Sequence, residues 1–252
     1  MKITKSMLED LQACNDGLGW FEENFPEGGE YQTVLDKLGA ENNYPYAKWL
    51  MNRIPAENSI LEIDEIKIDG SLFFAGKVIV KRGISITGYL QAGDGIKAGW
   101  GIKAGDGIEA GDGIEAGDGI EAGGGIEAGD GIEAGEGIKA GGGIEAGWGI
   151  KAGRGIKAGW GIKAGEGIEA GEGIEAGCGS IEAGGGIEAG WGIKAGWGIE
   201  AGEGIEAGDD YGIFAGVQIK IGKWKIDAKV IAKSRPQNLI SGFWVEPEWE
   251  EK

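Results

Sequence analysis

The chain has 252 residues, of which 42 are acidic and 24 basic, giving a formal net charge of -18, with 55 glycines, two cysteines and no histidine. Such acidity repels nucleic acid and anionic lipid and favours basic protein surfaces. Without histidine, the commonest general base and the commonest metal ligand are both missing.

Residues 1 to 58 read as a small helical domain of three or four helices. Ser6 is the candidate N-cap of the first, with Met7, Leu8, Leu11 and Cys14 at helical spacing. Phe25-Pro26-Glu27-Gly28-Gly29 breaks the chain. Tyr31, Val34, Leu35 and Leu38 mark another helix that Gly39 ends, and Tyr46, Trp49, Leu50 and Ile54 mark one ending before Pro55. Trp20, Phe21, Phe25, Tyr31 and Trp49 are available for one small core. Cys14, Gly17-Leu18, Trp20-Phe21, Asn24-Phe25-Pro26, Val34-Leu35 and Trp49-Leu50 together resemble a leader module of bacteriophage and prophage proteins. That resemblance carries no chemistry with it.

From Ser59 the period changes to two. Ile66-Lys67-Ile68, Val78-Ile79-Val80 and Ile84-Ser85-Ile86 read as short strands between glycines. From Gly93 to Ala207 a hexad Gly-x-Gly-Ile-(Lys/Glu)-Ala repeats, slipping once at Ser180. Ile and Ala point to one side of a strand and Lys or Glu to the other. Gly-x-Gly turns the chain, the glycines relieving backbone strain at the corner. Three hexads close one coil of about 18 residues. The expectation is therefore a mainly β protein, a triangular parallel β-helix over residues 59–233, with 234–252 as an acidic tail that caps it. Gly-x-Ile-x-Ala strings, above all Ile84-Ser85-Ile86-Thr87-Gly88-Tyr89-Leu90-Gln91-Ala92, resemble bactofilins, polymer-forming β-helices. That resemblance implies right-handed winding.

Eighteen-residue wrapping places Lys151, Lys157 and Lys163 on one coil, directly below Glu169, Glu175 and Glu182. Lys151 and Lys163 also lie above Glu133 and Glu145. A ladder of opposite charges follows. The variable corner residues form two groups. Asp94, Asp106, Asp112, Asp118, Asp130 and Glu136, with strand residues Glu115, Glu121 and Glu127, form the expected acidic contact surface. Trp100, Trp148, Arg154, Trp160, Trp191 and Trp197 are the aromatic contact candidates. Either the rings lie flat over the glycine-rich turns, or they form a contact face whose simplest partner is a second copy of the chain.

Cys14 and Cys178 have no metal spacing and read as free thiols. The corner position varies too widely for a calcium-binding repeat, and no Gly-x-Gly precedes a helix as a phosphate loop would. No catalytic residue, metal or cofactor is expected. There is no signal-peptide pattern and no apolar run long enough to span a membrane, so the expected setting is bacterial cytoplasm. The composite reading is a non-enzymatic inhibitor that mimics duplex DNA and occupies a DNA-binding host defence protein or nuclease complex, without binding nucleic acid itself. The alternative is a self-assembling structural solenoid of the bactofilin type. Capped ends would favour the first.

Overall fold

A computed structural model describes residues 1–219 and 223–246. Between Ile60 and Val245 the described residues form a parallel β-solenoid of about ten turns, its three faces being sheets of nine, ten and ten strands. Ile102 pairs with Ile120, Lys103 with Glu121 and Ala104 with Ala122, and the same register recurs up the rod. The first face holds Ile96–Ala98 and its equivalents, the second Ile102–Ala104, and the third Ile108–Ala110. Every repeat Ile and nearly every Ala is buried, forming one continuous core column.

The corner glycines answer to space rather than to backbone angle. Among the described glycines, only Gly28, Gly70, Gly216 and Gly242 have positive φ, and none of these lies in the repeat. A Cβ on Gly111 would overlap the carbonyl oxygen of Gly93 one turn below, and one on Gly129 would overlap that of Gly111. The expectation that these glycines relieve strained dihedrals is thus corrected: stacked turns approach too closely at the corner for a side chain.

Large residues close the column at both ends. In the first turn the slots filled elsewhere by Ala hold Ile63, Ile68 and Phe74. At the other end Trp244 pairs with the inward Val230, and its indole N–H donates to the Ala232 carbonyl at 3.1 Å. The first face ends at Ala207, while Leu239–Ser241 and Phe243–Val245 extend the second and third. Residues 234–245 therefore contribute the last rungs of two sheets. Of the acidic tail residues, Glu246 is exposed; Glu248, Glu250 and Glu251 lie outside the described residues.

The N-terminal domain has four helices: α1 (Lys5–Asp10), α2 (Asn15–Asn24), α3 (Tyr31–Ala40) and α4 (Tyr44–Met51). Thr4, not Ser6, is the N-cap of α1, its hydroxyl accepting from the Met7 N–H at 3.3 Å. Cys14 is not on that helix. Gln12 turns the chain at φ 60°, and Cys14 caps α2 through its sulfur. Gly39 lies inside α3, where its bare Cα lets the helix approach the Ser71 carbonyl. Lys2–Ile3 pairs with Gly29–Glu30 as a small antiparallel ribbon. Phe21 and Tyr31 are fully buried in the domain's core, with Trp20, Phe25 and Trp49 packed at its margin.

This domain does not sit across the end of the rod. It lies along the third face, sharing Phe73 and Ala75 with its own core. It covers one free strand edge, Leu72–Phe74, and leaves the outer edges of Ile60–Ile63 and Ile66–Ile68 unpaired. The expected block on that end is thus confined to one face of three.

Candidate protein-binding surface

The outward residues follow from the register. Above the second turn, the first face presents Lys97, Glu115, Glu133, Lys151, Glu169, Glu188 and Glu206. The second presents Lys103, Glu121, Lys139, Lys157, Glu175 and Lys194. The third presents Glu109, Glu127, Glu145, Lys163, Glu182 and Glu200. The second face is thus net basic, and the acid is concentrated on the other two.

The charge ladder is present as expected. Lys151 reaches Glu169 and Lys157 reaches Glu175, both at 3.0 Å, while Lys163 turns back to Glu145 at 3.4 Å. Lys139 and Lys157 are like-charged neighbours on one face, but Lys139 turns to Glu121 at 3.3 Å and Lys157 to Glu175, so they diverge. Glu175 and Glu121 are held below the usual glutamate range, first by hydrogen bonds from Lys157 and Lys139 respectively.

These pairs alter the expected acidic band of Asp112, Glu115, Asp118, Glu121 and Glu127. Glu115 is bound to Lys97 at 2.7 Å, Glu121 is shared by Lys103 and Lys139, and Glu127 lies 3.7 Å from Lys48. The three glutamates also point from three different faces. The band encircles the rod, and each of its three glutamates lies within 4 Å of a lysine.

The corners give a different concentration. On the edge joining the third face to the first, Asp94, Asp112 and Asp130 stack on successive turns, with Glu166 and Glu203 further up. Asp112 is held above the usual carboxylate range, first by its hydrogen bond with Asp94, then by partial burial and by the charges of Asp94 and Asp130; Lys77 opposes this. This edge, flanked by the two acidic faces, is the most negative part of the described surface. Asp118 and Glu136 stand on the next edge, where Glu136 binds Arg154 at 3.2 Å. Asp106 stands on the remaining edge, above Gly88 and below Gly124.

The tryptophans divide among the same three edges. Trp148 shares the edge of Asp130, Trp100 and Trp191 share that of Arg154, and Trp160 and Trp197 share that of Asp106. They do not converge on one face. Trp191 stacks on Tyr211 with ring centroids 5.8 Å apart, and Trp100 lies under the Arg82 guanidinium. Trp148, Trp160 and Trp197 are 60, 71 and 57 % exposed.

Sequence reasoning missed the junction between helices and rod. Lys48 binds Glu109 at 2.7 Å, Tyr44 stacks on Tyr89 with centroids 3.7 Å apart, and Gln91 donates to Glu109. Burial opposes the charge on Lys48, yet its hydrogen bonds to Glu109 and Tyr44 raise its pKa overall. The signal was available: the first two outward residues of the third face are Phe73 and Gln91, where later turns carry charges.

Both cysteines are free and exposed. Among the described residues, no group of three acidic or cysteine side chains is placed to hold a metal ion, and no helix is long and apolar enough to cross a membrane. The chain matches no curated protein and no solved structure. The family model described as the YdhT N-terminal domain matches residues 1–57, the helical domain alone, and this match carries neither the bactofilin nor the phage resemblance.

Proposed function

We propose that this chain is a non-enzymatic binding protein that presents its acidic rod to the basic groove of a DNA-binding protein, in place of duplex DNA. The observation that supports this is the stacked edge of Asp94, Asp112 and Asp130 between two acidic faces, while the rod's lysines engage its own glutamates. Carboxylates repeating every ~4.8 Å on a stiff column form a linear negative field, as phosphates do on a duplex. The resemblance of the leader to phage modules would make the target a host defence protein or nuclease complex in bacterial cytoplasm. No cofactor takes part in this reading.

The test is capture of DNA-binding proteins on the immobilised chain, followed by elution with duplex DNA. Release by duplex, with binding that falls steeply as salt rises, supports the reading. Captured proteins that duplex leaves in place, or binding indifferent to salt, overturn it.

A second reading, assembly into a structural solenoid, is favoured by the unpaired outer edges of Ile60–Ile63 and Ile66–Ile68, since such edges template pairing with another chain. Sedimentation across a wide concentration range separates the two. Concentration-dependent growth favours assembly, and a constant monomer favours the binding reading.

A further inference from the structure

The three edges of the rod differ in what their tryptophans touch and in the faces beside them. On the edge joining the first and second faces, Trp191 and Trp100 are engaged by Tyr211 and Arg82. Trp148 stands between the two acidic faces, where a second copy of the same edge is repelled. The edge joining the second and third faces carries Trp160, Cys178 and Trp197 on successive turns, all exposed. Neither indole on this edge has a ring or cation partner among the described residues. Val217 continues the ridge: it is 44 % exposed and follows Gly216, whose N–H donates to the Trp197 carbonyl at 2.7 Å.

The faces flanking this ridge differ in sign. From Lys103 to Lys194 the second face presents four lysines and two glutamates, and from Glu109 to Glu200 the third presents five glutamates and one lysine. An exposed apolar strip rimmed by charge marks a contact site, and flanks of opposite sign set the direction from which a second copy approaches. A two-fold axis parallel to the rods puts the basic flank of each copy beside the acidic flank of the other, on both sides of the contact. An antiparallel approach puts like beside like. In the parallel approach Lys139 and Lys194 come level with Glu145 and Glu200 of the other copy. Lys157 and Lys163 are also level, but each is bound to a glutamate of its own face, and Glu175, level with Glu182, is held by two lysines.

We propose that the chain forms a two-fold dimer, rods parallel, through the edge of Trp160, Cys178 and Trp197. The indoles of the two copies meet across the axis and supply the apolar contact, while the flanks orient the approach. Because the axis is two-fold, the same strip is covered on both copies and pairing stops at two. An edge contact is narrow, so the dimer exchanges with monomer. Asp94, Asp112 and Asp130 stand on another edge and stay open in both copies. The pair therefore goes beyond the binding reading without using its surface. It also differs from strand pairing at the open ends, which would not stop at two.

Sedimentation equilibrium of the full chain at ~0.15 M salt, where charges are screened beyond ~8 Å, should show monomer and dimer and nothing larger. Trp160→Ser with Trp197→Ser should weaken dimerisation at least about tenfold. Trp148→Ser, on another edge, should change it less than about twofold. Lys139→Glu with Lys194→Glu should weaken it about threefold, and adding Glu145→Lys with Glu200→Lys, which exchanges the signs of the flanks, should restore it. With Cys14→Ser in place, a short bismaleimide should link Cys178 to Cys178 of the second copy. With the thiol moved to the edge of Arg154, by Cys178→Ser with Glu172→Cys, it should not. Circular dichroism confirms the fold of each variant. A constant monomer, an equal loss with Trp148→Ser, no rescue by the exchanged flanks, or equal crosslinking from both edges each overturns the proposal. Growth beyond two copies that persists without Trp160 and Trp197 also overturns it, in favour of strand pairing. No DNA-binding protein enters these measurements, so failure here leaves displacement by duplex to be judged separately.

Discussion

Gln32 meets Ala75 as a neighbouring strand would. Its Oε1 accepts the Ala75 N–H at 2.9 Å, and its Nε2 donates to the Phe73 carbonyl, also at 2.9 Å. Leu72 and Phe74 bond toward the turn above, so Phe73 and Ala75 offer the groups that an edge strand leaves free. One side chain on α3 thus completes the free edge of the third face.

Gln32→Leu should therefore loosen the helical domain from the rod. Two backbone groups lose their partners, and the expected cost is about 1–3 kcal/mol. Eight of the ten tryptophans lie outside the helical domain, so the indole N–H NMR signals of Trp20 and Trp49 during denaturation measure the effect while far-UV circular dichroism follows the rod. An unchanged transition would mean that Phe73 and Ala75 regain partners elsewhere.

On the second face, Glu175 is in register between Lys157 and Lys194, binding Lys157 at 3.0 Å and Lys194 at 3.5 Å. Glu175→Gln should cost about 0.5 kcal/mol after solvent screening. The pKa of Glu175 is depressed in the fold, so its contribution is present above the ordinary glutamate range and is lost as pH falls through the folded value. Stability of wild type and variant should differ at neutral pH and converge in acid.

Asp112 should behave in the opposite sense. Its pKa is raised, first by the hydrogen bond with Asp94, so its ionised form opposes the fold. The proton favoured by the native state is fully present below the unfolded pKa and lost as pH rises through the raised one. Asp112→Asn should stabilise the chain at neutral pH by about 0.2–1 kcal/mol, the scale of one like-charge pair between adjacent strands. Chemical denaturation at pH 7 and at pH 3 checks this, and the gain should be confined to the higher pH.

Partner binding should distinguish acidic edge from aromatic edge. Asp94→Asn, Asp112→Asn and Asp130→Asn together should weaken it and flatten its salt dependence, while Trp160→Ser with Trp197→Ser should leave it unchanged. The two sets of residues stand on different edges. Affinity at two salt concentrations, with sedimentation as a check on self-association, gives the comparison. If the tryptophan variant binds poorly and the aspartate variant binds normally, the contact runs along the edge of Trp197.

The solenoid and its register were legible because the period was strict. Ile and Ala on one side and Lys or Glu on the other left a single way to bury the strand, and counting by eighteen placed Lys151 below Glu169. The same count assigns Trp148 and Trp191 to different edges, so their dispersal lay in the sequence and required only that corners be followed separately. The corner glycines were harder to interpret. A hexad shows where the chain turns but not how closely two turns approach, and that closeness excludes a Cβ at Gly111. The junction with the helical domain was legible only as an irregularity: Phe73, Tyr89 and Gln91 stand where the repeat carries charge or glycine. Gln32 and Lys48 gave no signal, because a surface residue on a short helix looks the same whether it faces water or another domain.

Ser180 shows what kind of change the rod absorbs. The extra residue is taken up in the corner, and Lys163 still pairs with Glu182. Gain or loss of eighteen residues would lengthen or shorten the column by one turn and leave the later residues on their old faces. Gain or loss of six would bury the same Ile and Ala but shift every later residue round by one face. The aliphatic column is blind to that shift, and the salt bridges are not. Length can therefore vary by whole turns while the surface pattern persists, and the charge ladder is what distinguishes a full turn from a third of one.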